Sequence, residues 1–195
     1  MKRITLMAAT AAAAGVVALA GSASAQDAGW YVQGNLGGDF QSKIDGSPSA
    51  KAKNGWAVSG AGGYALGNGF RVEGEALYLD GDVKGSAGGT AKTWAGFANG
   101  YYDFKTNSNF TPFVGAGIGF ANVKVDGGAV NDDDTGFAYQ LKTGVDYKFN
   151  DRLTGEAAYR YLGVTSVTLG SGANRLDGDF TDQALTVGLR YKLGS

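Results

Sequence analysis

Cysteine and histidine are both absent from the 195 residues, and proline occurs only twice. Without cysteine there is no disulfide framework, no thiolate nucleophile, no Fe–S cluster and no Cys-type zinc site. Without histidine there is no Ser-His-Asp relay and no His-ligated metal, and the commonest general base is missing. Most hydrolase and metalloenzyme chemistry is thereby excluded, leaving carboxylate-only chemistry. An excess of one charge sign is lacking too, since 17 basic residues meet 18 acidic ones. A nucleic-acid partner, which leaves a basic footprint, is not expected. What is plentiful is glycine, at 34 residues. Each interior glycine costs a helix about 1 kcal/mol relative to alanine, so a helical bundle is disfavoured.

The long apolar run at the start of the chain is a leader. Lys2 and Arg3 form a basic n-region, Leu6 to Ala20 is an apolar stretch, and Ala23-Ser24-Ala25 supplies an A-x-A cleavage site. Residues 1–25 are expected to be a Sec-type signal peptide and 26–195 the mature domain. That stretch is shorter than the roughly 20 residues a spanning helix needs, which disfavours an uncleaved anchor. Removing the leader leaves 15 basic against 18 acidic residues.

In the mature domain the dominant pattern has period two. Over 136–149, Phe137, Tyr139, Leu141, Thr143, Val145, Tyr147 and Phe149 fall on one side, opposite Gln140, Lys142, Asp146 and Lys148. Such alternation reads as strand. It predicts eight strands, at 29–40, 54–66, 70–80, 90–104, 110–124, 136–149, 153–163 and 181–193. Connections at 67–69, 105–109 and 150–152 are short and rich in Gly, Asn and Asp; those at 41–53, 81–89, 125–135 and 164–180 are long. An even strand count with alternating short and long connections predicts an all-β fold, an antiparallel up-and-down transmembrane barrel.

Polarity decides which face is outside. The apolar face carries charge only near strand ends, at Asp80, Lys92 and Lys124, whereas the opposite face carries Arg71, Glu73, Glu75, Asp103, Lys142, Asp146, Lys148, Glu156, Arg160, Arg190 and Lys192. An apolar outside and charged inside is the lipid-facing arrangement. Aromatics near strand ends form the expected girdles: Trp30, Trp56, Trp94, Tyr102, Phe104, Phe110, Tyr147, Phe149 and Tyr191. Eight strands enclose only enough room for their own side chains. The lumen is therefore expected to be plugged by an ion-pair network of Glu73, Glu75 and Glu156 against Arg71, Lys142, Arg160 and Arg190. The inward Gly115, Gly117 and Gly119 make space for the long chains. Glu73 and Glu75 point the same way and raise the thought of a catalytic pair, but a satisfied ion-pair network is the weightier reading.

Four stretches resemble a known family: Trp30–Gly38 (WYVQGNLGG), Phe70–Glu75 (FRVEGE), Tyr101–Phe104 (YYDF) and Thr111–Gly119 (TPFVGAGIG). They look like the small outer-membrane β-barrels of the OmpA-like and opacity type, many of them "porin family" surface antigens of alphaproteobacteria. The resemblance covers residues 26–195 and implies an outer-membrane location and delivery by the barrel-assembly machinery. Two departures stand out. The chain ends at Ser195 straight after strand eight, so the peptidoglycan-binding role of OmpA's additional domain is not carried over. Family members commonly end in an aromatic, whereas here Leu193 is followed by Gly194 and Ser195.

Loop partners are the remaining expectation. Lys43, Lys51 and Lys53 suit lipopolysaccharide phosphates, and Asp126, Asp132, Asp133 and Asp134 suit Ca²⁺. Solvated surface charge is the weightier reading of both, and no cofactor, metal or catalytic residue is assigned. The function expected is a non-enzymatic envelope and surface protein, touching outer-membrane lipid and lipopolysaccharide, with loops free for a host or surface ligand. A narrow channel for ions or small solutes is the alternative, and a soluble lipid-binding barrel a third reading.

Overall fold

Alternation gives every strand two faces, and only closure lets both find a suitable environment without leaving a free edge. The computed structural model describes residues 28–44, 51–84, 89–127, 130–169 and 176–194. It contains β1 (Gly29–Ile44), β2 (Lys51–Ala65), β3 (Phe70–Lys84), β4 (Gly89–Asp103), β5 (Phe110–Gly127), β6 (Val130–Lys148), β7 (Leu153–Leu169) and β8 (Leu176–Lys192). Each pairs antiparallel with the next, and β8 pairs back onto β1 to close the barrel. The expected leader and the connections 45–50, 85–88, 128–129 and 170–175 lie outside the described residues.

The tight connections gather at one end, here the turn end, together with the start of β1 and the end of β8. Gly67 and Gly69 adopt φ of +79° and +96°, conformations that side chains disfavour, and Asn68 Oδ1 accepts the amide of Phe70. In the turn 149–152, Asn150 Oδ1 accepts the amides of both Arg152 and Leu153.

At the opposite, loop end the expected boundaries need correction. The segments 41–53, 81–89, 125–135 and 164–180 are largely strand: β1 runs on to Ile44, β2 begins at Lys51, and β5 and β6 are separated only by 128–129. Strand four also stops at Asp103 rather than at 104. The ladder is made by backbone groups, which pair whatever the side chains are. Beyond the apolar band glycine, serine, threonine and charged residues interrupt the alternation while pairing continues. Irregular register between Asp39 and Gln41, Lys53 and Gly55, and Val164 and Val167 also falls in this half. The side chains of Lys43, Lys51, Lys53, Asp126, Asp132, Asp133 and Asp134 lie outside the described ones.

Outward residues form an apolar band in which Leu36, Val72, Ile118, Leu141, Val187 and Leu189 are exposed. Two aromatic belts bound it. At the turn end Trp30 packs on Tyr64, Tyr102 on Phe70 and Phe104, and Tyr147 on Phe110 and Phe149, with ring centroids 4.8 to 5.1 Å apart. Tyr191 is exposed at the same level. At the loop end Tyr78 lies between Trp56 and Trp94, and Phe120 meets Phe137 edge-on. Trp94 remains 63 % exposed beside Tyr78, as expected of a ring at a headgroup level.

Candidate functional site

The candidate site is the lumen, and it is layered along the barrel axis. Strand alternation supplies the inward set; register decides which members meet. Nearest the turn end, Arg71 lies at the second position of β3 and Asp103 at the last of β4. Arg71 Nε donates to both oxygens of Asp103, at 3.0 and 2.8 Å. Arg190 from β8 donates through Nη2 to Asp146 on β6 at 2.7 Å and to Glu156 on β7 at 3.1 Å, and through Nε to Gln33 at 2.9 Å. Arg71 Nη2 lies 3.7 Å from Asp146, which links the two clusters. The Arg71 guanidinium also sits 4.7 Å from the Tyr101 ring centre and 5.4 Å from that of Phe113. Desolvated cation–π contacts of this kind offset part of the cost of burying the charge.

The middle layer rests on Glu75, which accepts Lys142 Nζ at 2.9 and 3.0 Å, Gln140 Nε2 at 2.7 Å and Asn99 Nδ2 at 3.0 Å. Glu73 makes no salt bridge with any described residue. It is held by neutral donors instead: the hydroxyls of Tyr31 and Tyr101 at 3.0 and 3.1 Å and Asn99 Nδ2 at 3.3 Å. Glycines opposite make these contacts fit. A Cβ on Gly115 would overlap the Tyr101 ring, and one on Gly117 would overlap Asn99 Oδ1.

The expected network thus meets a different set of partners. Lys142 joins Glu75 and Arg190 joins Glu156, whereas Arg71 is paired with Asp103 and Asp146 rather than with a glutamate. Arg160 is 1 % exposed and not bonded to Glu73, Glu75 or Glu156; its Nε and Nη2 have no hydrogen-bond partner among the described residues. Lys148 reaches out of the mouth, where it bridges Asp151 at 2.9 Å. Glu73 and Glu75 are both buried, with their oxygens engaged by the donors named above.

Toward the loop end the lumen changes character. Leu77 and Leu79 of β3, Phe97 of β4, Leu162 and Val164 of β7 and four alanines form one buried apolar cluster. Leu77 and Leu162 are each 0 % exposed. This plug is the main feature the residue patterns left unassigned. The signal was available: on the inward face of β3, Arg71, Glu73 and Glu75 give way to Leu77 and Leu79.

Residues 9–192 match the family of the outer membrane protein beta-barrel domain. An uncharacterized protein of Brucella abortus is 27 % identical over 194 residues, spanning 70 % of this chain and 68 % of its own. The outer membrane protein PagN of Salmonella typhimurium is 32 % identical over 81 residues, 36 % of this chain and 34 % of its own. Among solved structures, Neisserial surface protein A superimposes with a TM-score of 0.67 at 22 % identity, covering 86 % of this chain and 99 % of that one. OprG of Pseudomonas aeruginosa gives 0.57 at 16 % identity, covering 91 % and 100 %. At these identities the two structures attest the fold.

Proposed function

The chain belongs to the outer membrane protein beta-barrel domain family and resides in the outer membrane; from that premise we propose that it is a sealed, non-enzymatic barrel that contributes to envelope integrity and presents its loop end for surface contacts. The observation that carries this reading is the apolar plug stacked on the ion-pair layers. A conducting lumen needs a continuous polar path, and Leu77, Phe97, Leu162 and Val164 interrupt it with packed hydrocarbon. Rearranging the ion pairs alone leaves that barrier in place.

The absence of histidine and cysteine and the engagement of Glu73 and Glu75 by hydrogen-bond donors support the non-enzymatic part. The apolar band and its two belts suit outer-membrane lipid and lipopolysaccharide as the partners of the outer face. The barrel-assembly machinery is the partner implied during biogenesis, and a host or surface ligand would meet the loop end.

Planar-bilayer recording of the purified, refolded protein tests the reading. No stable single-channel steps are expected, in the wild type or in a Glu156→Gln variant. Stable steps in the wild type that change with Glu156→Gln would establish the narrow-channel alternative instead.

A further inference from the structure

Asparagine followed by glycine occurs three times, at Asn54-Gly55, Asn68-Gly69 and Asn99-Gly100. The carboxamide carbon of such an asparagine is open to attack by the nitrogen of the next residue, and glycine, with no Cβ, obstructs that approach least. The fold sets two of the three pairs in opposite conditions; the side chain of Asn54 lies outside the described ones.

Asn99 is protected. It is 5 % exposed on the inward face of β4, donates Nδ2 to Glu73 and Glu75, and accepts Gln140 Nε2 at Oδ1. Gly100 is held in the ladder, opposite Val72 on one side and Ala116 on the other. Reaction there has first to break three buried hydrogen bonds.

Asn68 is exposed, in the turn between β2 and β3. Gly69 has a φ of +96°, lines the cavity that opens at the turn end, and donates its N–H to no described residue. Leu66 N–H bonds Phe70 O across the turn, while Phe70 N–H is diverted to Asn68 Oδ1 at 3.1 Å. That bond folds the side chain back along its own following peptide and brings Cγ beside the Gly69 nitrogen. The same N–H points at the oxygen on which negative charge develops when Cγ is attacked, an arrangement that stabilises a tetrahedral intermediate.

We propose that Asn68 is a site of spontaneous deamidation in the folded barrel. The Gly69 nitrogen bonds to Asn68 Cγ as the Cγ–Nδ2 bond breaks, and the amide leaves as ammonia with the proton that Gly69 gives up. The resulting succinimide adds water at either carbonyl. Opening at Cγ gives aspartate, whose carboxylate still accepts the Phe70 N–H. Opening at the main-chain carbonyl gives isoaspartate, which routes the backbone through Cβ and lengthens the turn by one atom. Gly69 O accepts Asp103 N–H, and Asp103 holds Arg71, so the lengthened turn slackens the outermost ion-pair layer. Short turns of outer-membrane barrels face the periplasm, which places the reaction on that side.

Peptide mapping by mass spectrometry tests this on the full chain, refolded in detergent and incubated at mildly alkaline pH in water enriched in heavy oxygen. The peptide carrying Asn68 should take up one solvent oxygen at least about tenfold faster than the peptide carrying Asn99. Unfolding in urea should remove most of that difference, because it frees Asn99. Asn68→Gln, whose longer side chain does not form the five-membered ring, should take up none at this position. No uptake at Asn68 in the folded protein, or a folded rate equal to that at Asn99, would overturn the proposal. Incubated wild type should also show a lower urea midpoint than incubated Asn68→Gln, each measured against its own fresh sample. An unchanged midpoint in a sample rich in isoaspartate would overturn the link from the turn to the Arg71 layer.

Discussion

The two halves of the lumen fill the same eight-stranded cylinder by opposite means. The turn half is polar and cross-linked: Arg71 and Arg190 bridge carboxylates on neighbouring and more distant strands, and Lys142 on β6 reaches across the lumen to Glu75 on β3. The loop half is mostly apolar, with Leu77, Phe97, Leu162 and Val164 packed among alanines and, among the described residues, only Thr93 and Asp182 buried beside them as polar groups. Polar filling depends on partners and fails when one is removed. Apolar filling depends on volume and fails by the amount of volume removed. The same cylinder thus carries a specific lock at one end and a nonspecific seal at the other.

The largest effect should come from leaving one member of the lock alone. Asp103→Ala strips Arg71 of the carboxylate whose two oxygens share its Nε–H, in a site where Arg71 is 1 % exposed. Removing one partner of a buried pair costs about 3–5 kcal/mol, read as a lowered urea midpoint in reversible unfolding from detergent or lipid. The control sharpens the comparison. Replacing both partners by apolar residues, Arg71→Met with Asp103→Leu, should recover most of that loss, because a well-packed apolar pair is often as stable as the ion pair. If the double variant is no better than the single, the lock is not a matter of partnered charge.

In the seal, Leu162→Ala should cost about 2–5 kcal/mol through lost burial and the cavity left behind. No polar partner exists to rescue it; only added volume within the cluster, such as Ala138→Val on the adjacent strand, should restore part of the loss. The same variant bears on function. Thinning the plug by one leucine should leave planar bilayers silent, since the remaining apolar side chains still interrupt the polar path. Gly115→Ala belongs to the polar half and should cost about 1–3 kcal/mol by forcing the Tyr101 ring aside.

These halves were unequally legible in the sequence, for physical reasons. Strands β6 and β3 alternate strictly between apolar and charged residues in their lower parts, so Lys142, Asp146, Arg71, Glu73 and Glu75 could be placed on one face from period two alone. Which acid meets which base depends on stagger between strands, and that is a property of closure rather than of any one segment. This is why Arg71 lies with Asp103 rather than with a glutamate. The plug was less visible because Ala76, Leu77, Tyr78 and Leu79 are apolar on both faces, and period two carries no information where both faces are alike. The strand extensions at the loop end were hidden because glycine, serine, threonine and charged residues there break the alternation that the backbone ladder does not need.

The smallest effect marks where the lock ends. Lys148 and Asp151 bridge at 2.9 Å across the turn 149–152, and Asp151 is 97 % exposed. The hydrogen bond from Lys148, and after it the Lys148 charge, hold the Asp151 carboxyl below its ordinary range. A carboxyl whose folded-state pKa lies below its unfolded value contributes stability above the unfolded value, and that contribution fades as pH falls through the folded one. Solvent and salt screen so exposed a pair. Asp151→Asn is therefore expected to leave the urea midpoint unchanged within error at neutral pH. It should also flatten the acid limb of the midpoint-against-pH curve only at low salt. A shift at neutral pH approaching that of Asp103→Ala would mean that the cross-linked half extends out of the lumen into the turns, and its boundary would have to move outward with it.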